Sequence, residues 1–553
     1  MTAIHDRGDS YLAGGRRVDG GRAAFAAVVL LAALLATHPS PAAETLSGEA
    51  IMEHVRILAD DAMEGRGTGS AGERRAAGYI ESQFRKIGLK PAFAGGYVQE
   101  VPLVGITADP STRLTFVGPK GISVARYFDD FSGICGVLRE KVVVDSEIVF
   151  TGYGVTAPGQ NWDDFKDADV RGKVLLTLVN DPPAEDPKHF GGKAMTYYGR
   201  WSYKFEEAAR RGAAGVLLVH IDKMAGYPWQ VVQKSFAVER FQVEGRPDPL
   251  LLEGWLQREF VENLLTGAGR CLDELLAAAA RPDFKPIPLG IRVQAEINNR
   301  IRKLTAPNVA GIVRGTQNPD RFICLVAHHD HFGIGAPDAE GDRIYNGALD
   351  NATGVAVVIE LARRLNFKKP ADSVIFLTVT AEEQGLLGSL YYTLHPAFPL
   401  AQTTAAVSID AVNILGRTSD VEAIGSELSG LEKIANDAAV RLGWKVTPDP
   451  FSDRGGFFRS DHFSFARAGV PGISVSVGLD YAGKPAGWGE QKAIDFINKH
   501  YHQPSDEITA VWDSGGMVQI SEYVLSLVAR IGEENGLVGW KEDGEYQRRA
   551  AAR

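Results

Sequence analysis

The sequence predicts an α/β protein, a mixed, mostly parallel sheet sandwiched by helices and interrupted by a β-rich insertion. Three observations predict it. From residue 308 onward, strand-like apolar runs alternate with amphipathic helical stretches, the pattern of a sheet covered on both faces. Between residues 107 and 297 the character changes to short β-rich runs separated by Pro/Gly-rich loops, which reads as a separate module set into the chain. Glycine supplies 61 of 553 residues, well above the usual share of roughly 7%. Such an excess implies many turns and loops, where sites are built.

The elements follow in order. At the N-terminus Arg16, Arg17 and Arg22 precede an apolar stretch at 23–36, and Ser40-Pro41-Ala42-Ala43 leads into Glu44. This is the pattern of a secretory signal peptide, assigned to residues 1–43. The apolar stretch is shorter than the roughly 20 residues that span a bilayer. The mature protein is therefore expected to be exported, periplasmic or extracellular, with no stable membrane insertion after cleavage. The Arg16-Arg17 pair leaves a twin-arginine route open.

Residues 44–106 begin the main domain. Ile51, Val55 and Leu58, then Ala76, Ile80, Phe84 and Ile87, recur at helical spacing on either side of the loop Glu64-Gly65-Arg66-Gly67-Thr68-Gly69-Ser70-Ala71-Gly72. No strand precedes that loop and Ser70 fills the third glycine place, so it is not a nucleotide fingerprint. The insertion, 107–297, carries β-rich runs at 147–150, 173–179 and 215–220. A helix at 203–211 followed by Gly212-Ala213-Ala214-Gly215 makes a compact αβ unit with the strand at 216–219. No cluster of nucleophile, base or ligand types stands out within it. The main domain resumes over 298–536, with strand runs at 322–327, 374–380, 405–409 and 472–477. A helix at 351–365 places Val355, Val358, Ala362 and Leu365 on one face. The last stretch, 537–553, reads as a polar, flexible tail.

Composition narrows the function. Hydrophobic residues at 45% and charged residues at 23% are ordinary globular values, against disorder and against a polytopic membrane protein. A net charge of −10 without a Lys/Arg stripe argues against nucleic acid as a partner. The three cysteines, Cys135, Cys271 and Cys324, provide no disulfide framework and no thiolate zinc site. Cys324 sits in an apolar run as a small buried hydrophobe; a Cys135–Cys271 pair is left open. Any metal must use His and carboxylates.

Those residue types stand directly after the strand runs. His328-His329-Asp330-His331 follows the first, Ala381-Glu382-Glu383 the second and Asp410 the third. In open α/β sheets ligands bind in the crevice at the carboxyl ends of the strands, so three segments deliver imidazole and carboxylate groups to one edge. Asp350 joins them from Tyr345-Asn346-Gly347-Ala348-Leu349-Asp350-Asn351, and His502 from Tyr501-His502-Gln503-Pro504. Taken singly, Asp350 would be a helix cap, His502 a surface residue and Glu382-Glu383 a solvated acidic pair. Together they suit zinc, which accepts His nitrogen and Asp/Glu oxygen.

The ordered set 327–333, 347–354, 381–389 and Tyr501-His502-x-x-x-Asp506 resembles the co-catalytic di-zinc exopeptidases, the family of secreted bacterial leucyl aminopeptidases and glutamate carboxypeptidase. The resemblance covers 45–106 and 298–535, and implies the zinc exopeptidase fold. The insertion, with Phe150-Thr151-Gly152-Tyr153-Gly154 and Arg171-Gly172-Lys173-Val174, looks like a protease-associated domain. Carried over by position, the resemblance makes His328 and Asp410 ligands of one zinc, Glu383 and His502 ligands of the other, and Asp350 the bridge. Glu382 becomes the general base, working on a hydroxide held between two Zn2+ ions. Asp330 would orient His328, and Asp506 would serve His502. Tyr501 matches a position that contacts the reacting carbonyl and Arg459 one that contacts substrate. His329 and His331 crowd the first motif.

The resemblance implies an aminopeptidase that removes N-terminal residues from peptide substrates. A carboxypeptidase or dipeptidase would use the same residues, and a metal-free binding protein on this fold would lack them. By analogy with the family, the insertion is expected to cover the active-site edge and to limit access to peptides or influence substrate choice.

Overall fold

In the computed structural model of the protein, residues 45–184, 186, 189–236, 239–245, 249–541 and 546–548 are described. The signal-peptide expectation lies outside them. Among the described residues no helix is long and apolar enough to cross a membrane.

The elements that position the site run in chain order as follows. The chain opens with α1 (Gly48–Leu58) and α2 (Ala71–Ile87). Next come β1 (Val98–Ala108), β2 (Arg113–Gly118), β3 (Gly121–Arg126), β4 (Phe131–Ile134), β5 (Lys141–Phe150) and β6 (Val174–Leu178). Then follow α3 (Trp201–Arg210), β7 (Gly215–His220), β8 (Arg240–Val243) and β9 (Leu252–Gln257). The chain continues through β10 (Ile287–Val313), β11 (Asn318–His328), α4 (Thr353–Phe367), β12 (Asp372–Val379), α5 (Leu387–Leu394) and β13 (Thr403–Ile409). It ends with β14 (Asp420–Ile424), α6 (Leu431–Val440), β15 (Lys445–Thr447), α7 (His462–Arg467), β16 (Gly472–Val477), α8 (Trp488–Lys499) and α9 (Gly515–Gly532).

The main sheet has the order β8–β1–β10–β12–β11–β13–β16–β14–β15. Its centre, β12–β11–β13–β16, is parallel. A parallel strand is covered on both faces, and β12 is accordingly buried at every position. Side chains alternate between the two cores with the period of two that a strand dictates. Ile323, Leu325 and Ala327 face a core shared with α1, α2, α4, α6 and α9. Phe322, Cys324 and Val326 face a smaller one that includes Tyr392 of α5 and Phe465 of α7. The apolar runs and helices read from the sequence appear here within a few residues of their expected ends. Ser47 and Ser70 cap the starts of α1 and α2, accepting from Ala50 N and Glu73 N, and the second cap fixes where the glycine loop ends.

A second sheet, β3–β2–β10–β5–β6–β7–β9–β4, is built from the insertion. Both sheets share β10. Asn298 pairs with Lys141 of β5, and the next residue, Asn299, pairs with Ala108 of β1. A single strand thus passes from one core into the other. The insertion also lends β8 to the main sheet, alongside β1.

All three cysteines are free, Cys135 and Cys324 buried and Cys271 exposed. Some of the described residues of the tail are held by hydrogen bonds to the main domain. Trp540 Nε1 donates to Gly469 O at 3.0 Å, and the Arg548 guanidinium donates to the carbonyls of Val538, Thr403 and Thr404. Trp540, its ring centroid 5.0 Å from that of Tyr546, and the Arg548 guanidinium make these contacts in a stretch whose composition is otherwise polar.

Candidate metal centre

His328 is the last residue of β11, and Asp410 directly follows β13. Glu382 and Glu383 follow β12 after a turn that puts Ala381 at φ 53°. Asp350 sits in the turn before α4, where Gly347 has φ 55° and a Cβ would stand 2.3 Å from Asp350 O. His502 follows α8 with φ 57°. Left-handed backbone at Ala381, Ala411 and His502 is uncommon for residues with a Cβ, and such residues gather at functional sites.

The five expected ligands come together. His328 Nε2 lies 3.2 Å from both Asp350 Oδ1 and Asp410 Oδ1. His502 Nε2 lies 3.1 Å from Glu383 Oε2 and 3.5 Å from Asp350 Oδ2. The two oxygens of Asp350 therefore face two different imidazoles. All but Asp410 are deeply buried or nearly so, with His328 at 1%, Asp350 at 5% and His502 at 7% exposure.

Donors bound about 2.1 Å from a tetrahedral zinc stand about 3.4 Å apart. The 3.1–3.5 Å separations match that spacing. Both ring nitrogens of His502 are buried without a hydrogen bond, an arrangement that is costly unless a cation takes the lone pair. His331 also approaches Asp350 and Glu383 closely enough to be a donor. Its Nδ1 stands 2.7 Å from Glu383 Oε1, however, a hydrogen-bond distance rather than a ligand–ligand one. His331 thus orients Glu383.

The electrostatics favour a cation. Burial would lower the His328 imidazole, but Asp410 and Glu382 hold it well above its ordinary value. Burial would raise Asp350, yet His328 and His502 keep it well below the usual carboxylate range. Burial, the largest influence, would raise Glu383, yet His502 and His331 together pull it down to about 2. Its neighbour goes the other way. Burial, reinforced by Glu383 and Asp410 against His328, pushes Glu382 well above the ordinary glutamate value. Adjacent carboxyls driven apart in this manner mark one as a permanent anion and the other as a proton carrier.

Two supporting residues act differently from expectation. The His328 Nδ1 contact is to the backbone carbonyl of Asp330, at 3.1 Å, while the Asp330 carboxylate is 3.8 Å away. That carboxylate accepts instead from Glu382 N at 3.0 Å and Thr68 Oγ1 at 3.2 Å, so it positions Glu382. The hydrogen bonds of Asp506 go to the Asp350 turn and not to His502. Its carboxylate accepts from Leu349 N at 2.9 Å and Asp350 N at 3.0 Å, holding the bridging residue's turn. Sequence reasoning also missed Glu73, buried and bonded to Gly69 N and Thr380 Oγ1, and Asp461, buried at 0% exposure behind the site. No local signal announces either, since both lie outside the ligand motifs.

A cavity of about 780 Å³ opens beside the centre, with Glu382, Glu383, Tyr501 and His502 in its wall. Tyr501 stacks on His502, ring centroids 3.6 Å apart. Burial, then Asp350 and Glu383, raise its phenol well above the usual value, so it stays a donor. Arg459 lines the same cavity with its guanidinium 5.4 Å above the Tyr227 ring. Arg200, from the insertion, faces it. Burial and the charge of Arg459 lower Arg200 to about 10, and the groups that counter this are tyrosines, not carboxylates. The Nε atoms of both arginines are buried without a hydrogen-bond partner.

Residues 308–528 match the sequence profile of peptidase family M28. The chain carries an M28 peptidase domain. Within it fall every ligand and both glutamates. Relatives in sequence include Aminopeptidase NAALADL1 of Mus musculus, 33% identical over 139 residues, 23% of this chain and 17% of that protein. A probable zinc metalloprotease of Leptosphaeria maculans is 38% identical over 137 residues, 25% of this chain and 28% of that protein. The matches thus span less than a third of either relative. Among solved structures, an aminopeptidase from Aneurinibacillus sp. strain AM-1 superposes with a TM-score of 0.51 at 20% identity. That alignment covers 91% of this chain and 98% of the other, which extends the likeness of fold across the M28 domain and the insertion.

Proposed function

We propose that this protein is an exported, zinc-dependent aminopeptidase. The observation that carries the reading is Asp350, whose two oxygens face His328 on one side and His502 on the other. His328, Asp350 and Asp410 would hold one ion, and Glu383, His502 and Asp350 the other. Two zinc ions would polarise the peptide carbonyl and acidify the attacking water. Three carboxylates and two neutral imidazoles would leave a net charge near +1 on such a centre.

The chain's own groups do the rest. Glu382, held by the hydrogen bond from its N–H to Asp330, takes a proton from the attacking water and passes it to the leaving amine. Tyr501 donates its O–H toward the oxygen where charge develops. Insertion residues Tyr197, Arg200, Trp201 and Tyr227 line the cavity, which supports a part for that module in substrate choice. Export rests on residues 1–43; N-terminal sequencing of secreted protein should begin at or near residue 44.

A second reading is favoured by one observation. Among the described residues Arg200 and Arg459 line the cavity and form no ion pair within 4.0 Å, which suits a substrate carboxylate and hence a dipeptidase or carboxypeptidase. Peptides blocked at one end or the other separate the two. Turnover of free but not N-blocked aminoacyl amides supports the aminopeptidase; turnover of N-blocked peptides with a free C-terminus overturns it.

A further inference from the structure

The glycine loop at 64–72 holds no nucleotide site, and the reaction proposed above gives it no task. Its place in the fold does. Arg66 is buried, 1% exposed, and its guanidinium bonds only to backbone carbonyls. Nε donates to His329 O at 2.9 Å, Nη1 to Asn346 O at 2.6 Å and Leu58 O at 2.5 Å, and Nη2 to Gly347 O at 2.8 Å. Three of those carbonyls belong to the turns that carry His328 and Asp350. The loop makes return contacts to the first of them. His331 N donates to Arg66 O at 3.2 Å, and Thr68 Oγ1 donates to Asp330 Oδ2. The backbone fit is close as well. Gly65 has φ 61°, and a Cβ there would stand 2.5 Å from Tyr345 O and 2.6 Å from Gly333 O.

Several buried carbonyls pointed at one spot repel one another unless a donor with several N–H groups joins them. A planar guanidinium offers five in a fixed fork, which an ammonium cannot reproduce. We propose that Arg66 is a positioning residue for the metal centre, its guanidinium fixing the spacing of the His328 and Asp350 turns before any metal arrives and thereby setting metal affinity. Thr68 adds to this by holding Asp330. The proposal rests on the reading of His328 and Asp350 as zinc ligands.

The test measures zinc affinity by competition with a chromophoric chelator in the parent, Arg66→Lys, Thr68→Val and, as a control at the start of α2, Arg75→Ala. Arg66→Lys should bind zinc about 10–100-fold more weakly, and Thr68→Val more weakly by a smaller factor. Arg75, exposed and bonded to Ala62 O, should leave affinity unchanged. A role in charge balance alone would spare Arg66→Lys, and a role in stability alone would lower the melting temperature without moving the affinity of folded protein. Hydrogen exchange on the metal-free parent is the second arm: amides at 328–331 and 345–351 should stay protected. Affinity of Arg66→Lys within twofold of the parent overturns the proposal. So does free exchange of both turns in the metal-free parent, which also decides the matter should Arg66→Lys not fold. A parent that binds no zinc refutes the metal reading, while the exchange result still judges the clamp.

Discussion

Each half of the protein buries a group of charged side chains, and the two groups differ in kind. In the insertion, Lys204 lies under the sheet with Asp164 and Asp181 nearby. Asp164 accepts from Val155 N and Trp162 Nε1, Asp181 from Thr196 N and Oγ1, and Lys204 donates to Asn180 O. Burial lowers Lys204 to about 8, with the two aspartates limiting the drop. Every member has a protein partner, and nothing converges on an open space. In the M28 domain the imidazoles and carboxylates converge with donor spacings near those of a metal shell, and both nitrogens of His502 lack a hydrogen bond. Residue types alone do not separate a structural cluster from a site; satisfaction of the polar atoms does.

The sharpest way to break this contrast is to remove one residue from each cluster. Asp350→Ala should lose zinc and about 10³-fold or more of hydrolysis, by the scale of general acid–base and metal contributions. Metal-free, it should melt close to the metal-free parent. Metal analysis, turnover and calorimetry read the three. Lys204→Met should behave in reverse, losing about 3–5 kcal/mol because two buried carboxyls lose their cation. Its folded fraction should keep zinc. A Lys204 variant that lost zinc at unchanged stability would erase the distinction.

Arg200 tests the border between the halves. Arg200→Leu should lower kcat/KM by about 10–100-fold for substrates with a carboxylate that reaches the cavity, a charge-assisted pair being worth about 1.5–3 kcal/mol. Neutral substrates should change little. Equal effects on both would remove Arg200 from recognition.

The smallest effect concerns Glu422 on β14, outside the metal centre. Burial, with Asp449 and Asp420 nearby, raises it to about 8. A carboxyl raised in the folded state contributes stability that is full below its unfolded value and is lost as pH climbs to the folded one. Between about pH 4.5 and 8 the parent should weaken relative to Glu422→Gln, by up to a few kcal/mol. Melting temperatures across that range read it, and a constant gap between the two proteins would refute the assignment.

Three of the expected ligands were legible by position because they stand just after apolar strand runs, whose ends converge on one edge of a parallel sheet; Asp350 and His502 lie in turns beside helices and were picked out by the family resemblance. That rule brought His328, Glu383 and Asp410 to the edge, but the choice of His328 among three histidines and of Glu383 over Glu382 came from the resemblance. The partners of Asp330 and Asp506 were not legible, because two residues of sequence separation do not fix which donor a carboxylate meets. Arg66 was present in the sequence as part of a glycine loop, yet its carbonyl partners lie up to 281 residues away. Such contacts exist only after the chain has folded. The shared strand β10 was hidden for a related reason: alternation marks a strand and does not tell which of two sheets it joins.

The central claim is that two ions sit on these residues while Glu382 moves the proton without binding either. It is tested most directly by the zinc content of Glu382→Gln, assayed beside its turnover. The account predicts two zinc ions per chain, as in the parent, with hydrolysis reduced by about 10²–10⁴-fold. Two ions with undiminished turnover would contradict the role of Glu382, and a parent protein without zinc would contradict the centre itself.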